Sequence, residues 1–240
     1  MRAILLSFVL VLPALVHAED ARPVSCKFLC FGGTDAAASV LAVSDKGAEV
    51  VCPLPSSQFS PVTVCFAKDN TIGFLSTTDK KPMARVTIPP GVNEVFLVFV
   101  QKAKNPADGA APAPGWRVFV IEDSAKNFPD GGAFVANFYE HDVRFIIGEH
   151  KGMLHAAGFH GYEMPKERDS FNMASVVFEI SQNDKWHIAN ESALRFLPGM
   201  RYLIFTYVDP LSARPRIATF QDFKAARPSG KGAARAQAVR

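Results

Sequence analysis

The chain has 240 residues, of which roughly 222 follow the first 18, enough for one large domain or two small ones with a buried core. Its formal charge of +3 is set by the last stretch, where Lys224, Arg227, Lys231, Arg235 and Arg240 meet no acid. From Glu19 to Phe223, 20 basic residues face 23 acidic ones, which excludes the basic face that a nucleic-acid-binding protein needs.

Arg2 followed by an apolar stretch at 4–16, broken only by Ser7 and Pro13, has the form of a secretory signal. Val16 and Ala18 suit the −3 and −1 sites of a signal peptidase, so residues 1–18 are expected to be removed near Glu19. That stretch is too short for a stable membrane span, and no later run reaches the roughly 20 apolar residues of one. A periplasmic or secreted protein without a transmembrane segment in the mature chain is the expectation.

Short β-rich runs punctuated by Gly, Pro, Asn and Asp then predict strands at 24–31, 39–44, 48–54, 62–67, 71–77, 83–88, 94–101 and 116–122. A helical turn is expected at 124–128. Strands resume at 133–138, 143–148, 152–156, 173–181, 193–197, 201–208 and 216–221. The unbroken apolar runs at 95–100 and 118–121 suit central strands covered on both faces. Phe28, Phe66, Phe74, Phe178 and Phe205 are candidates to fill a layered core.

Four segments recur in the same order in both halves, three at a spacing of 105–108 residues and the last at 99. Residues 40–47 resemble 145–152, 75–80 resemble 180–185, 90–100 resemble 198–208, and 117–123 resemble 216–222. The fold expected is all-β, two tandem immunoglobulin-like sandwiches at 19–123 and 131–223, with one larger sandwich built of both halves as the alternative. The Pro/Ala/Gly stretch 104–115 then falls at the tip of a hairpin inside the first unit, and the boundary near 124–132. Residues 224–240, almost without apolar bulk, are expected to be a disordered tail.

Four cysteines, Cys26, Cys30, Cys52 and Cys65, are an even number in a chain bound for an oxidising compartment, so disulfides are expected. On one strand Cys26 and Cys30 share a face but stand about 13 Å apart, too far to bond each other. Either both reach Cys52 or Cys65, or a single Cys52–Cys65 bridge leaves two thiols. The C-x3-C and C-x12-C spacings are not those of paired zinc knuckles.

No nucleophile elbow, phosphate loop, zincin helix motif or dinucleotide fingerprint occurs. Chemistry concentrates instead at His141, His150, His155 and His160, with Glu140, Asp142, Glu149 and Glu163 nearby. Imidazole and carboxylate are ordinary ligands of zinc or copper, and His150, His155 and His160 are the candidate metal ligands; their spacing of five demands intervening turns, for which Gly152, Gly158 and Gly161 are placed. Glu122/Asp123 and Asp169/Glu179 are nameable acid pairs for glycoside hydrolysis, though nothing in the sequence selects them. Trp116, Trp186, Tyr139, Tyr162 and Tyr207 are candidates for an aromatic face that stacks on sugar rings, Tyr139 and Tyr162 being the better placed for exposure.

The layout of 28–33, the Pro90-Gly91 turn with its long apolar strand, and 117–128 ending in Asp-Ser-x3-Phe-Pro resembles uncharacterised exported β-sandwich proteins of environmental bacteria. The resemblance implies a periplasmic or secreted bacterial protein and carries over no catalytic residue. The function expected is a non-catalytic binding or structural module of the bacterial envelope, with an envelope protein or a polysaccharide as partner. The competing expectation is an envelope hydrolase or metal-binding protein using the region 141–160.

Overall fold

A computed structural model describes residues 21–31, 39–43, 49–101, 116–183, 185–209 and 212–223. The expected signal 1–18, the hairpin tip 104–115 and the tail 224–240 lie outside the described residues. The described chain is all-β. Eight strands form the first half: β1 (Arg22–Phe31), β2 (Ser39–Val43), β3 (Glu49–Pro53), β4 (Thr63–Ala67), β5 (Thr71–Ser76), β6 (Pro82–Thr87), β7 (Glu94–Gln101) and β8 (Trp116–Glu122). Eight more follow: β9 (Ala133–Asn137), β10 (Val143–Ile147), β11 (His150–Leu154), β12 (Phe159–Tyr162), β13 (Met173–Gln182), β14 (Lys185–Arg195), β15 (Met200–Asp209) and β16 (Arg214–Phe223).

They make four sheets of four, ordered β3-β2-β5-β6 and β4-β1-β7-β8 in the first half, β11-β10-β13-β14 and β12-β9-β15-β16 in the second. Adding eight to each strand number of the first half reproduces the second. The parallel pair β1/β7 recurs as β9/β15, among otherwise antiparallel neighbours. Local details recur as well. In the turns Pro89–Val92 and Leu197–Met200 the last N–H donates to the first carbonyl, at 3.2 and 3.1 Å. Each has Pro second and Gly third, with φ of 78° at Gly91 and 79° at Gly199, a type II turn that needs glycine there. A register shift follows the core residue Phe74 in β5 and again Phe178 in β13.

Alternation of side chains along the strands sorts the interior into three layers. Phe28, Phe74, Phe99 and Trp116 pack between the two sheets of the first half. Phe145, Phe178, Phe196 and Tyr202 do so in the second. A third cluster, with Leu29, Phe31, Phe96 and Val98 on one side and Phe134, Leu203, Phe205 and Phe220 on the other, joins the two inner sheets. The four sheets therefore stack in series, outer, inner, inner, outer. This explains the apolar run of β7, where Val95, Leu97 and Phe99 enter the first layer while Phe96 and Val98 enter the one between the halves. A fully buried phenylalanine contributes roughly 2 kcal/mol, so the shared layer, with several of them, couples the halves.

Three expectations need correction. The strand β8 ends its sheet instead of lying centrally, so Val118, Phe119 and Val120 are only half-buried. Phe66 is 38% exposed because β4 is an edge strand turned outward at that position. The helical turn expected at 124–128 is present as a single i to i+4 bond, Phe128 N–H to Ser124 O at 2.8 Å. Phe205 belongs to the layer between the halves and not to the core of its own half.

The four cysteines are buried free thiols in the first layer, none at bonding distance from another. Cys52 Sγ and Cys65 Sγ lie 3.7 Å apart across the two sheets. The contact with Cys65 and burial raise the Cys52 thiol far above its ordinary value, and Cys26 together with burial does the same for Cys65. Burial alone pushes Cys30 up to about 11. The expectation that all four pair is thus not what the folded chain presents; Cys65 has both Cys52 and Cys26 as thiol neighbours, with Cys52 Sγ at 3.7 Å.

Candidate functional site

Where β8 and β12 end the two inner sheets, the halves diverge and leave a cleft of about 490 Å3. The second half supplies one wall with Phe134, Ala136, Phe138, Ala157 and Phe159. The first half supplies the other through β8 itself, from Arg117 to Glu122, together with Thr87 and Pro89 after β6. Phe119 and Phe138 stack face to face across the divide at 3.8 Å, closing the cleft floor. Phe134 is buried and stacks on Phe159 at 5.6 Å, while Phe159 is 61% exposed at the mouth. A single large apolar ring at a rim is ordinary, but one continuous with a concave apolar wall marks a binding surface.

The polar groups of the cleft sit at its ends. Arg117 lies with its guanidinium 4.5 Å over the Phe119 ring, and it has no carboxylate partner among the described residues. Five residues further along the strand, Glu122 has no cationic partner among them, and its backbone carbonyl accepts a hydrogen bond from Asn127 Nδ2 at 3.2 Å. The turn carrying Asn127 is pressed against β12: a Cβ on Gly161 would stand 2.3 Å from the Asn127 carbonyl. Glycine at 161 is what permits that close approach.

Asn137, fully buried at the end of β9, holds the far wall in place. The two hydrogens of its Nδ2 serve three carbonyls, those of His141 at 2.8 Å, Leu154 at 3.1 Å and His155 at 3.2 Å, so one is shared, while Oδ1 accepts from Tyr139 N–H at 3.0 Å. Ala157 N–H donates to the Asn137 carbonyl at 2.9 Å. One side chain thus fixes two loops, one of them carrying Ala157 and leading into Phe159. Sequence reasoning missed it, since an Asn before a turn is unremarkable until its neighbours in space are known.

The sequence-predicted groups are dispersed. His150 and His160 both approach Tyr162, with ring centroids 5.5 and 4.7 Å away, and His150 Nε2 lies 3.0 Å from the Glu163 carbonyl. His155 lies in the loop after β11, its Nδ1 2.9 Å from Asp142 Oδ1, and His141 packs on the edge of Tyr139. His150, His155 and His160 are not brought together, and among the described residues no three His, Cys, Asp or Glu side chains are placed to hold a metal ion. His150 and His160 share the Tyr162 ring, while His155 is held by Asp142. Among the nameable acids, Asp123 pairs with Arg201, Glu179 with Arg144, and Asp169 accepts the N–H groups of Phe171 and Met173.

The aromatic candidates share no face. Trp116 and Tyr139 are buried, Tyr207 stacks on Phe31 at 4.8 Å, and Trp186 lies under the Arg144 guanidinium. The expectation that Tyr139 is exposed is corrected by its burial beside the loop that Asn137 organises. No protein-family model matches the chain, and no curated protein is found to match it.

Proposed function

We propose that the chain is an exported, non-catalytic binding module that takes an apolar ligand into the cleft between its halves. The observation that carries this reading is the cleft itself, an apolar concavity of a size ordinary for ligand sites, with one cation and one anion at its ends. Its lining supplies contact area, a cation–π platform and hydrogen-bonding ends, which is the chemistry of holding rather than of bond making. Two tandem immunoglobulin-like sandwiches are the reading of the fold that the recurring sheet order supports, and the form of residues 1–18 supports a periplasmic or secreted location.

The experiment is a titration of the purified protein with an anionic naphthalene-sulfonate dye, whose ring suits the apolar walls and whose charge suits Arg117. Saturable binding that is lost in Ala157→Trp, which fills the cleft from an exposed position, supports the reading. Equal binding by wild type, Ala157→Trp and Phe159→Ser would place the site elsewhere.

A further inference from the structure

We infer that the ligand is an extended segment of a partner protein, which adds as a fifth strand to the open edge of β8; the inference rests on the cleft being the binding site. The ladder itself points to this. In an antiparallel pair, residues alternate between those bonded to the partner strand and those whose N–H and C=O face away. Asp123 N–H donates to Glu94 O at 2.9 Å, which fixes these two as a bonded pair. Counting back in twos through the observed register, Ile121, Phe119 and Arg117 bond to β7. Val118, Val120 and Glu122 therefore turn their backbone groups outward. The Glu122 carbonyl already has Asn127. Among the described residues no strand pairs with β8 on the side of Val118 and Val120, and Val120 lines the cleft.

An open edge is a template for another strand, and main-chain bonds made there give affinity while alternate side chains give specificity. A strand laid beside β8 would send alternate side chains toward Thr87 and Pro89 on one face, and toward Phe138, Ala157 and Phe159 on the other. The end charges define its sequence class. Arg117 and Glu122 are five residues apart, about 17 Å along a strand. A segment of about six residues bridges them, with apolar side chains between. In the antiparallel sense, the more stable one, its basic residue comes first, beside Glu122, and its acidic residue last, beside Arg117. A small apolar molecule would need neither the open edge nor both charges.

The test uses fluorescein-labelled peptides of alternating Val and Thr, with Lys at the N-terminal and Glu at the C-terminal end, titrated with the purified protein by anisotropy. Binding is expected, with at least a tenfold loss when amides on one alternate set are N-methylated and little loss for the other set. Val120→Pro, which removes an outward N–H at an edge position where proline is tolerated, is expected to abolish peptide binding. Arg117→Glu is expected to weaken it at least tenfold, with recovery for a peptide carrying Lys at that end. Dye binding in the cleft with no peptide binding, or with peptide binding indifferent to which amides are methylated, overturns strand addition while leaving the cleft as a site. Absence of both dye and peptide binding overturns the proposed function as well.

Discussion

The guanidinium of Arg201 lies between two carboxylates, donating from Nη1 to Asp123 Oδ1 at 2.6 Å and from Nη2 to Asp222 Oδ2. Asp222 in turn holds Lys27 Nζ at 2.6 Å, so two cations and two anions bridge the halves at the edge of their shared layer. Burial alone would lower the guanidinium, but the hydrogen bonds it donates to both carboxylates outweigh this and the Arg201 value rises. The aromatic rings of Phe128 and Phe96 lie 5.2 and 5.7 Å from its centre. Removing one partner of such a buried set strands the others, which costs about 3–5 kcal/mol. Arg201→Met is accordingly expected to lose stability on that scale, measured by urea unfolding, while Lys27→Met, at the more exposed end, loses less.

Asn137→Ala tests the far wall of the cleft. It removes the Asn137 partner of the Tyr139 N–H and of the His141 and Leu154 carbonyls, while the His155 carbonyl keeps the Gly158 N–H at 2.9 Å, and a buried unsatisfied group costs about 1–3 kcal/mol. The variant is expected to remain folded but to bind the dye more weakly, because Ala157 and Phe159 lose their anchor. Unchanged stability and unchanged dye affinity would show that the loops hold themselves.

The thiol contact predicts one bridge and a route to it. When the chain folds in the presence of a small-molecule disulfide, Cys52 and Cys65 are expected to lose two hydrogens to the reagent and form the bond between the sheets. A loop of this size adds about 3 kcal/mol. In the reduced folded protein the same thiols are held protonated, and the thiolate is the attacking form, so reaction near neutral pH is expected to be slow. Peptide mapping checks both points; a bridge to Cys26 or Cys30, or rapid bridging of the native thiols, would disagree.

Acid behaviour is set partly by Glu149. Burial pushes its carboxyl up, but the backbone N–H groups of Lys166 and Glu167 more than compensate and bring it down to about 2. Its stabilising contribution is full above the ordinary value of 4.5 and disappears as pH falls through 2. Over that window Glu149→Gln is expected to lose less stability than wild type in urea unfolding measured against pH.

Much of the fold was legible because the strands of the core alternate or run apolar in a way that local turns punctuate. The Pro-Gly turns at 90–91 and 198–199 gave the same signal twice and sit at matching places. Two strands were misread for physical reasons. β12 contains only Phe159, His160, Gly161 and Tyr162, too short and too polar for a period of two, and most of β14 is exposed on both faces. The cleft was not legible at all. Val118–Ile121 looks central in sequence, and only the order of the sheets makes β8 an edge. Likewise the histidines cluster along the chain, yet among the described residues no three of them and their acidic neighbours are placed to hold a metal ion.

The most direct measurement is amide hydrogen exchange, residue by residue, on the protein with and without saturating peptide. Strong new protection at the N–H groups of Val118 and Val120, with Phe119 and Ile121 already protected by β7, is the predicted result. Saturation of the protein with no slowing at those two amides would contradict the account.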